Sequence, residues 1–196
     1  MHMEHIQKRF RKGGAVAVSV TGDAADYVDS FRRRYDPHAA RIMSHITLAF
    51  GQSLETEQWS RARSAVARDL GATSPFSIRV ADTGIFVDGG FVLWLRPVDE
   101  HGELLALRGI VLRSFPGVAF ERPDDYVPHI SIGFFATQEA LIAARDTVER
   151  ELHPFSFRVA SIAFLQADEG DIWRCVDTVE LGHPRTGAPA ISREEP

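Results

Sequence analysis

Two short runs of this chain, HITLAF at 45–50 and HISIGF at 129–134, alternate polar and apolar residues, the spacing of a half-buried strand. AVAVSV at 15–20 predicts another strand. A helix over about 23–35 follows, with Ala24, Val28, Phe31 and Tyr35 on one face and Asp36-Pro37 ending it. After the 44–50 strand, a helix over about 54–70 is expected, with Ser53 as its N-cap and Gly71 just beyond its end. Strands at about 76–87 and 90–96 make a hairpin around Asp88-Gly89-Gly90, and a helix over about 100–114 runs from Asp99 to Pro116-Gly117. A strand at 127–135, a helix at 138–152 and strands at 155–166 and 171–181 complete the pattern.

The second half repeats the first. PFSIRVA at 75–81 returns as PFSFRVA at 154–160, and Trp94 and Trp173 each stand eighteen residues past the Phe of that segment, Phe76 and Phe155. His129 follows His45 by 84 positions, Leu141 follows Trp59 by 82 and Pro154 follows Pro75 by 79, so the length changes fall between elements. The predicted class is α+β: a bilobal duplicated unit with two antiparallel sheets lining a central cleft and helices on the outer faces. The lobes are expected at about 15–97 and 98–182, with strand exchange between them allowed. Residues 1–14 form a flexible leading segment in this reading, and 183–196 a mobile tail rich in Pro, Gly and charge.

Alternation also assigns faces. Ile46, Leu48 and Phe50 should pack under helices, leaving His45, Thr47 and Ala49 on the cleft side, and His129, Ser131 and Gly133 should share the equivalent face. The small residues Ala49 and Gly133 then leave room for a ligand.

Composition narrows the partners. With 44% hydrophobic and 25% charged residues in 196 positions, the chain can bury one substantial core. A net charge of −5 argues against a broad basic face for long duplex nucleic acid, while a small phosphate ester or an RNA end remains compatible. The single cysteine, Cys175, excludes an internal disulfide, and neither a signal peptide nor a membrane-length apolar run is present. A cytoplasmic monomer is the expectation.

Each histidine is followed at i+2 by a hydroxyl, Thr47 or Ser131, so each strand presents an imidazole beside a hydroxyl on one face. Cleaving a phosphodiester needs a base to activate a nucleophile and an acid to protonate the departing oxygen, and an imidazole with a pKa near 6.5 suits both tasks. The hydroxyls can donate to the non-bridging oxygens. His45 and His129 are therefore the catalytic candidates, and Thr47 and Ser131 the phosphate-binding candidates. Which histidine is base and which is acid stays open.

H-I-T-L and H-I-S-I resemble the paired H-x-[ST]-x motifs of the 2H phosphoesterase superfamily. RRRYDPHAARIMSHITLAF and PHISIGFF are similar to the motif regions of its bacterial 2'-5' RNA ligase-like members. The resemblance covers most of 15–181. It implies a bilobal fold, metal-independent processing of 2',3'-cyclic phosphates of nucleotides or RNA ends, and site roles for His45, Thr47, His129 and Ser131. Ser44 stands where a proline commonly precedes the first motif, whereas Pro128 keeps it in the second. The alternatives are 2'-5' RNA ligation at the same site and a non-catalytic phosphate- or RNA-binding module.

Other residues carry weaker signals. Arg79 and Arg158 occupy matching places in the repeated PFS segments and are candidate substrate contacts if that strand face lines the cleft. Tyr35 and Tyr126 are candidates for the cleft rim, and Trp94 and Trp173 read as duplicated core residues. His38, His101, His153 and His183 read as surface residues with no metal-ligand spacing, and Gly13-Gly14 and Gly89-Gly90 lack the context of a phosphate loop. No cofactor and no metal are expected, and Cys175 has no nucleophile partner nearby.

Overall fold

In the computed structural model, residues 13–52, 54–87, 90–120 and 126–182 are described. The expectations for residues 1–12, the Ser53 cap, the Asp88-Gly89 hairpin tip and the tail from His183 lie outside these residues. The described elements run β1 (Gly14–Ser19), α1 (Asp23–Tyr35), β2 (His45–Gly51), α2 (Thr56–Leu70), β3 (Phe76–Phe86), β4 (Phe91–Val98), α3 (Glu103–Ser114), β5 (Ile130–Phe135), α4 (Gln138–Glu151), β6 (Phe155–Val159), β7 (Ser161–Ala167) and β8 (Trp173–Glu180). The strand expected over 155–166 divides at Ala160, whose carbonyl accepts from the Leu181 backbone N–H at 2.7 Å.

Local chemistry accounts for the helices. In α1, Asp23 and Asp26 in the first turn and Arg32, Arg33 and Arg34 in the last complement the helix dipole. α2 buries Trp59, Ala62, Val66 and Leu70 as one stripe, and its cap is Glu55, which forms a reciprocal capping box with Gln58. In α4, Thr137 caps the helix by accepting from the Ala140 N–H at 3.2 Å. The Trp59 indole is sandwiched between Phe164, parallel at 5.0 Å, and Phe115 at 6.0 Å, while its N–H donates to Asp177 at 2.8 Å. Burying one such side chain contributes on the order of 1.5–3 kcal/mol.

The strands form two antiparallel four-stranded sheets, ordered β2-β1-β7-β8 and β5-β4-β3-β6. Each therefore draws on both halves of the chain: β7 and β8 complete the first, β5 and β6 the second. α2 and α3 cover the outer face of the first sheet, and α1 and α4 that of the second. β2 and β5, the edge strands that follow or contain the histidines, touch each other where the sheets meet. The repeated PFS segments meet too. β3 and β6 pair with Ser77 opposite Arg158, Ile78 opposite Phe157 and Arg79 opposite Ser156, so the two copies face each other in a locally symmetric ribbon.

Matched irregularities change the predicted faces. Opposite β1, Val16 pairs with Ala49 and Ala17 with Thr47, bypassing Leu48; opposite β4, Leu93 pairs with Gly133 and Trp94 with Ser131, bypassing Ile132. Each bulge turns the next residue over. Ala49 joins the helix-side core with Ile46 and Leu48, and Phe50 turns to the cleft side against Trp173, at 6.1 Å. Gly133 likewise leaves the histidine face. A side chain there would come within 2.8 Å of the Tyr35 Cβ and the Phe135 ring, so its smallness admits α1 rather than a ligand. Among the described residues, no helix is long and apolar enough to cross a membrane.

Candidate active site

His45 opens β2 and His129 immediately precedes β5, both partly open, while Ile46, Leu48, Ile130 and Ile132 on the opposite faces are fully buried. Those buried neighbours anchor each strand, so the imidazoles cannot rotate inward without exposing apolar surface. The backbone bonds the two rings alike: the His45 Nδ1 lies 2.8 Å from the Met43 carbonyl and the His129 Nδ1 2.7 Å from the Val127 carbonyl, each two residues back. A carbonyl only accepts, so Nδ1 carries the proton, leaving Nε2 as the nitrogen that gains or loses one.

Their surroundings differ. His45 keeps part of its surface open, yet loss of water around it pushes its pKa from 6.5 down to about 4. The Met43 bond opposes that shift, the charges of Arg32 and His129 add to it, and Asp36 opposes it. β2 and β5 touch where the sheets meet, and the charge of His129 reaches His45 strongly enough to help lower its pKa. His129 sits against aromatic rings instead: Phe86 edge-on at 5.0 Å and Trp94 at 6.0 Å. Phe86 and Trp94 stack at 5.0 Å, and the Arg96 guanidinium lies 5.0 Å from the Trp94 ring.

Thr47 and Ser131 are half-buried on the same faces as their histidines, opposite Ala17 and Trp94. Trp94 and Trp173 lie on the histidine-side faces of their sheets, not in the helix-side core; Trp173 packs with Ala15, Ala17, Ala163 and Leu165. Arg79 and Arg158 are exposed, on the face of the second sheet that carries Trp94 and Ser131. Tyr35 lies in the packing of α1 on β5, 6.0 Å from the Phe135 ring. Tyr126 is largely shielded beside Arg108, whose guanidinium lies 4.3 Å from its ring, and burial pushes its phenol pKa well up.

The sequence reading missed several residues at the site. Arg32 and Asp36 form a buried ion pair at 2.8 Å at the end of α1, near enough to act on His45. Burial alone would raise the Asp36 pKa, but hydrogen bonds from His38 and the charge and bonds of Arg32 hold it below the usual carboxylate value. His38, read as a surface residue, is only 18% exposed: its N–H donates to Asp36 at 2.8 Å and its ring meets Phe134 edge-on at 5.1 Å. The i, i+4 spacing of Arg32 and Asp36 was a signal for that pair, whereas Phe86 and Arg96 reach the site only through strand pairing. Among the described residues, no group of three or more His, Cys, Asp or Glu side chains is placed to hold a metal ion.

Two antiparallel four-stranded sheets with helices on their outer faces define a class, and comparison with known proteins agrees. The family model for the 2'-5' RNA ligase superfamily matches residues 20–171, and the chain belongs to that family. It is 32% identical over 108 residues to a Bacillus mycoides protein named "putative phosphoesterase", an alignment covering 55% of this chain and 61% of that relative. A Staphylococcus haemolyticus protein of the same name is 26% identical over 159 residues, covering 80% of this chain and 91% of the relative. Among solved structures, apo LigT of E. coli superposes with a TM-score of 0.62 at 17% identity, over 88% of this chain and 98% of that one. A Thermus thermophilus protein gives 0.62 at 16% identity, over 87% and 99%.

Proposed function

We propose that the protein is a metal-independent phosphodiesterase that hydrolyses 2',3'-cyclic phosphates of nucleotides or RNA ends, with His45 as base and His129 as acid. The observation that carries this reading is the matched fixing of both Nδ1 atoms by a carbonyl two residues back, which sets the tautomer and orientation of each ring and assigns proton exchange to its Nε2.

In the proposed reaction, His45 is neutral at physiological pH, since its pKa is near 4, and its Nε2 takes a proton from water. The oxygen attacks phosphorus, one bond of phosphorus to a ribose oxygen breaks, and His129 supplies the proton that the departing oxygen acquires. The rings of Phe86 and Trp94, packed against His129 at 5.0 and 6.0 Å, hold its imidazole in place for that transfer. Thr47 and Ser131 donate to the two non-bridging oxygens, where charge builds. Crystals of LigT with 3'-AMP and with phosphate support a nucleotide phosphate as the ligand of this fold.

The test is a product-resolved assay on 2',3'-cyclic nucleotides with excess chelator present. Opening of the ring to a single monoester, insensitive to chelation, is the expected result. Activity that disappears with chelator and returns with added metal contradicts the mechanism, and saturable binding without turnover reduces the site to a binding module. RNA halves ending in a cyclic phosphate and a 5'-hydroxyl test the reverse, ligating direction, which the family's name raises.

A further inference from the structure

From the histidine site, the same face of the second sheet continues to its far edge. Trp94 stands opposite Ser131, and alternation along β4 puts Arg96 and Val98 on that face with it. Arg79 pairs with Val98, and the symmetric ribbon then adds Ser156 opposite Arg79 and Arg158 opposite Ser77. The duplicated sequence thus assembles two Arg–Ser pairs side by side, related by the local symmetry, with all four residues exposed. Diagonal neighbours on adjacent strands lie about 7–8 Å apart, so both guanidinium groups can reach one anion.

The charge of these two arginines, like that of Arg33, Arg41, Arg113 and Arg150, meets no carboxylate among the described residues. In an acidic chain, Arg34, Arg61, Arg63, Arg68, Arg145 and Arg174 each hold a carboxylate. Arg79 and Arg158 have no ion pair among the described residues, and their neighbours across the ribbon are serines, which add donors without cancelling charge. From Ser131 to Arg79 is two strands across and four residues along, roughly 17 Å. That is too far for the cyclic phosphate under attack and the base attached to it. Between them lie the Trp94 ring and Arg96, itself 3.6 Å from Asp82.

We propose that the Arg79/Ser156 and Arg158/Ser77 pairs form a second phosphate subsite that holds the backbone of an RNA strand upstream of its cyclic end. This rests on the functional reading above, in that the reacting end lies at the histidines. The preferred substrate is then an oligonucleotide with a cyclic phosphate terminus, not a mononucleotide.

The experiment compares wild type with Arg79→Gln/Arg158→Gln and, as a control on the helix side, Arg113→Gln. Hydrolysis is measured on a 2',3'-cyclic mononucleotide and on a single-stranded RNA of about six nucleotides with the same end. Binding is measured by fluorescence anisotropy on a labelled, unreactive RNA of the same length ending in a 3'-phosphate. The double variant should lose about 10–100-fold in kcat/KM on the RNA and less than about two-fold on the mononucleotide, and the salt dependence of RNA binding should flatten by a slope of about one to two. Arg79→Lys/Arg158→Lys should recover part of the loss. Equal losses on both substrates, unchanged RNA affinity, or an equal effect of Arg113→Gln would overturn the subsite. Because the unreactive RNA reports binding alone, a protein that hydrolyses neither substrate would refute the catalytic reading and leave the anisotropy result to decide the subsite.

Discussion

Gly84 offers a sharp test of how the second histidine is seated. It lies opposite Trp94 in the β3–β4 pair, and a Cβ added there would come within 2.5 Å of indole Cε2 and closer still to Cζ2 and Cη2. Carbon atoms are comfortable at about 3.5–4.0 Å, so Gly84→Ala must displace the ring by roughly 1 Å or more. The ring cannot yield freely: Trp94 is 4% exposed, stacked on Phe86 and leaning on His129. Overpacking of this kind costs about 1–3 kcal/mol, which for a domain this size lowers the melting temperature by about 2–12 °C. The same displacement moves His129, and an error near 1 Å in a catalytic group can cost ~100-fold in rate. Gly109→Ala is the matched control. Within α3 its Cβ meets only the movable Arg113 guanidinium, at 3.1 Å, and replacing a helical glycine should stabilise by about 0.5–1 kcal/mol. Thermal melts followed by circular dichroism, with kcat on a cyclic nucleotide, read both effects. If Gly84→Ala melts and turns over like wild type, Trp94 does not hold His129 and this part of the account is wrong.

Further outcomes follow from the same geometry. The acid limb of the kcat/KM profile, which reports the free enzyme, should fall nearer pH 4 than 6.5; a limb at 6.5 would show His45 solvated or not the base. The same shift has a stability sign: the folded state resists a proton that the unfolded chain accepts below 6.5, so stability should decline as pH falls from 6.5 towards 4, and less so in His45→Gln, as denaturant titrations at a series of pH values can show. Asp36→Ala should cost about 1–3 kcal/mol in denaturant unfolding by leaving buried Arg32 with Asp29 alone at 3.2 Å, and Arg32→Met alongside it should recover part of the loss; an additive double variant would refute the pairing. Thr47→Val and Ser131→Ala should each lower kcat by about 100–1000-fold if they meet the developing charge, whereas a change confined to KM would make them ground-state contacts only.

Much of this molecule was legible as sequence because the signals were local or repeated. Helical stripes fixed α1, α2 and α4 within a few residues, and the two histidine strands announced themselves by alternation and by their near-identity. The bulges were not legible. Alternation presumes one residue per step, and bypassing Leu48 and Ile132 inverted the faces of Ala49, Phe50 and Gly133. The residues around the histidines were hidden for a different reason: Phe86, Arg96 and the Met43 and Val127 carbonyls are set there by pairing and turns, which no periodicity encodes. The PFS repeat showed in sequence that it was duplicated, but not that its two copies would pair with each other.

The central claim is that two imidazoles carry out two proton transfers at a single phosphorus atom, one taking a proton from the attacking water and the other giving one to the departing oxygen. Its most direct test is turnover of a 2',3'-cyclic nucleotide, in chelator, by wild type, His45→Ala and His129→Ala, each confirmed folded by its melting curve. The account predicts ring opening by wild type and losses of about 100–10,000-fold in both variants. Near-normal turnover in either variant, or wild-type turnover that requires an added metal, would contradict it.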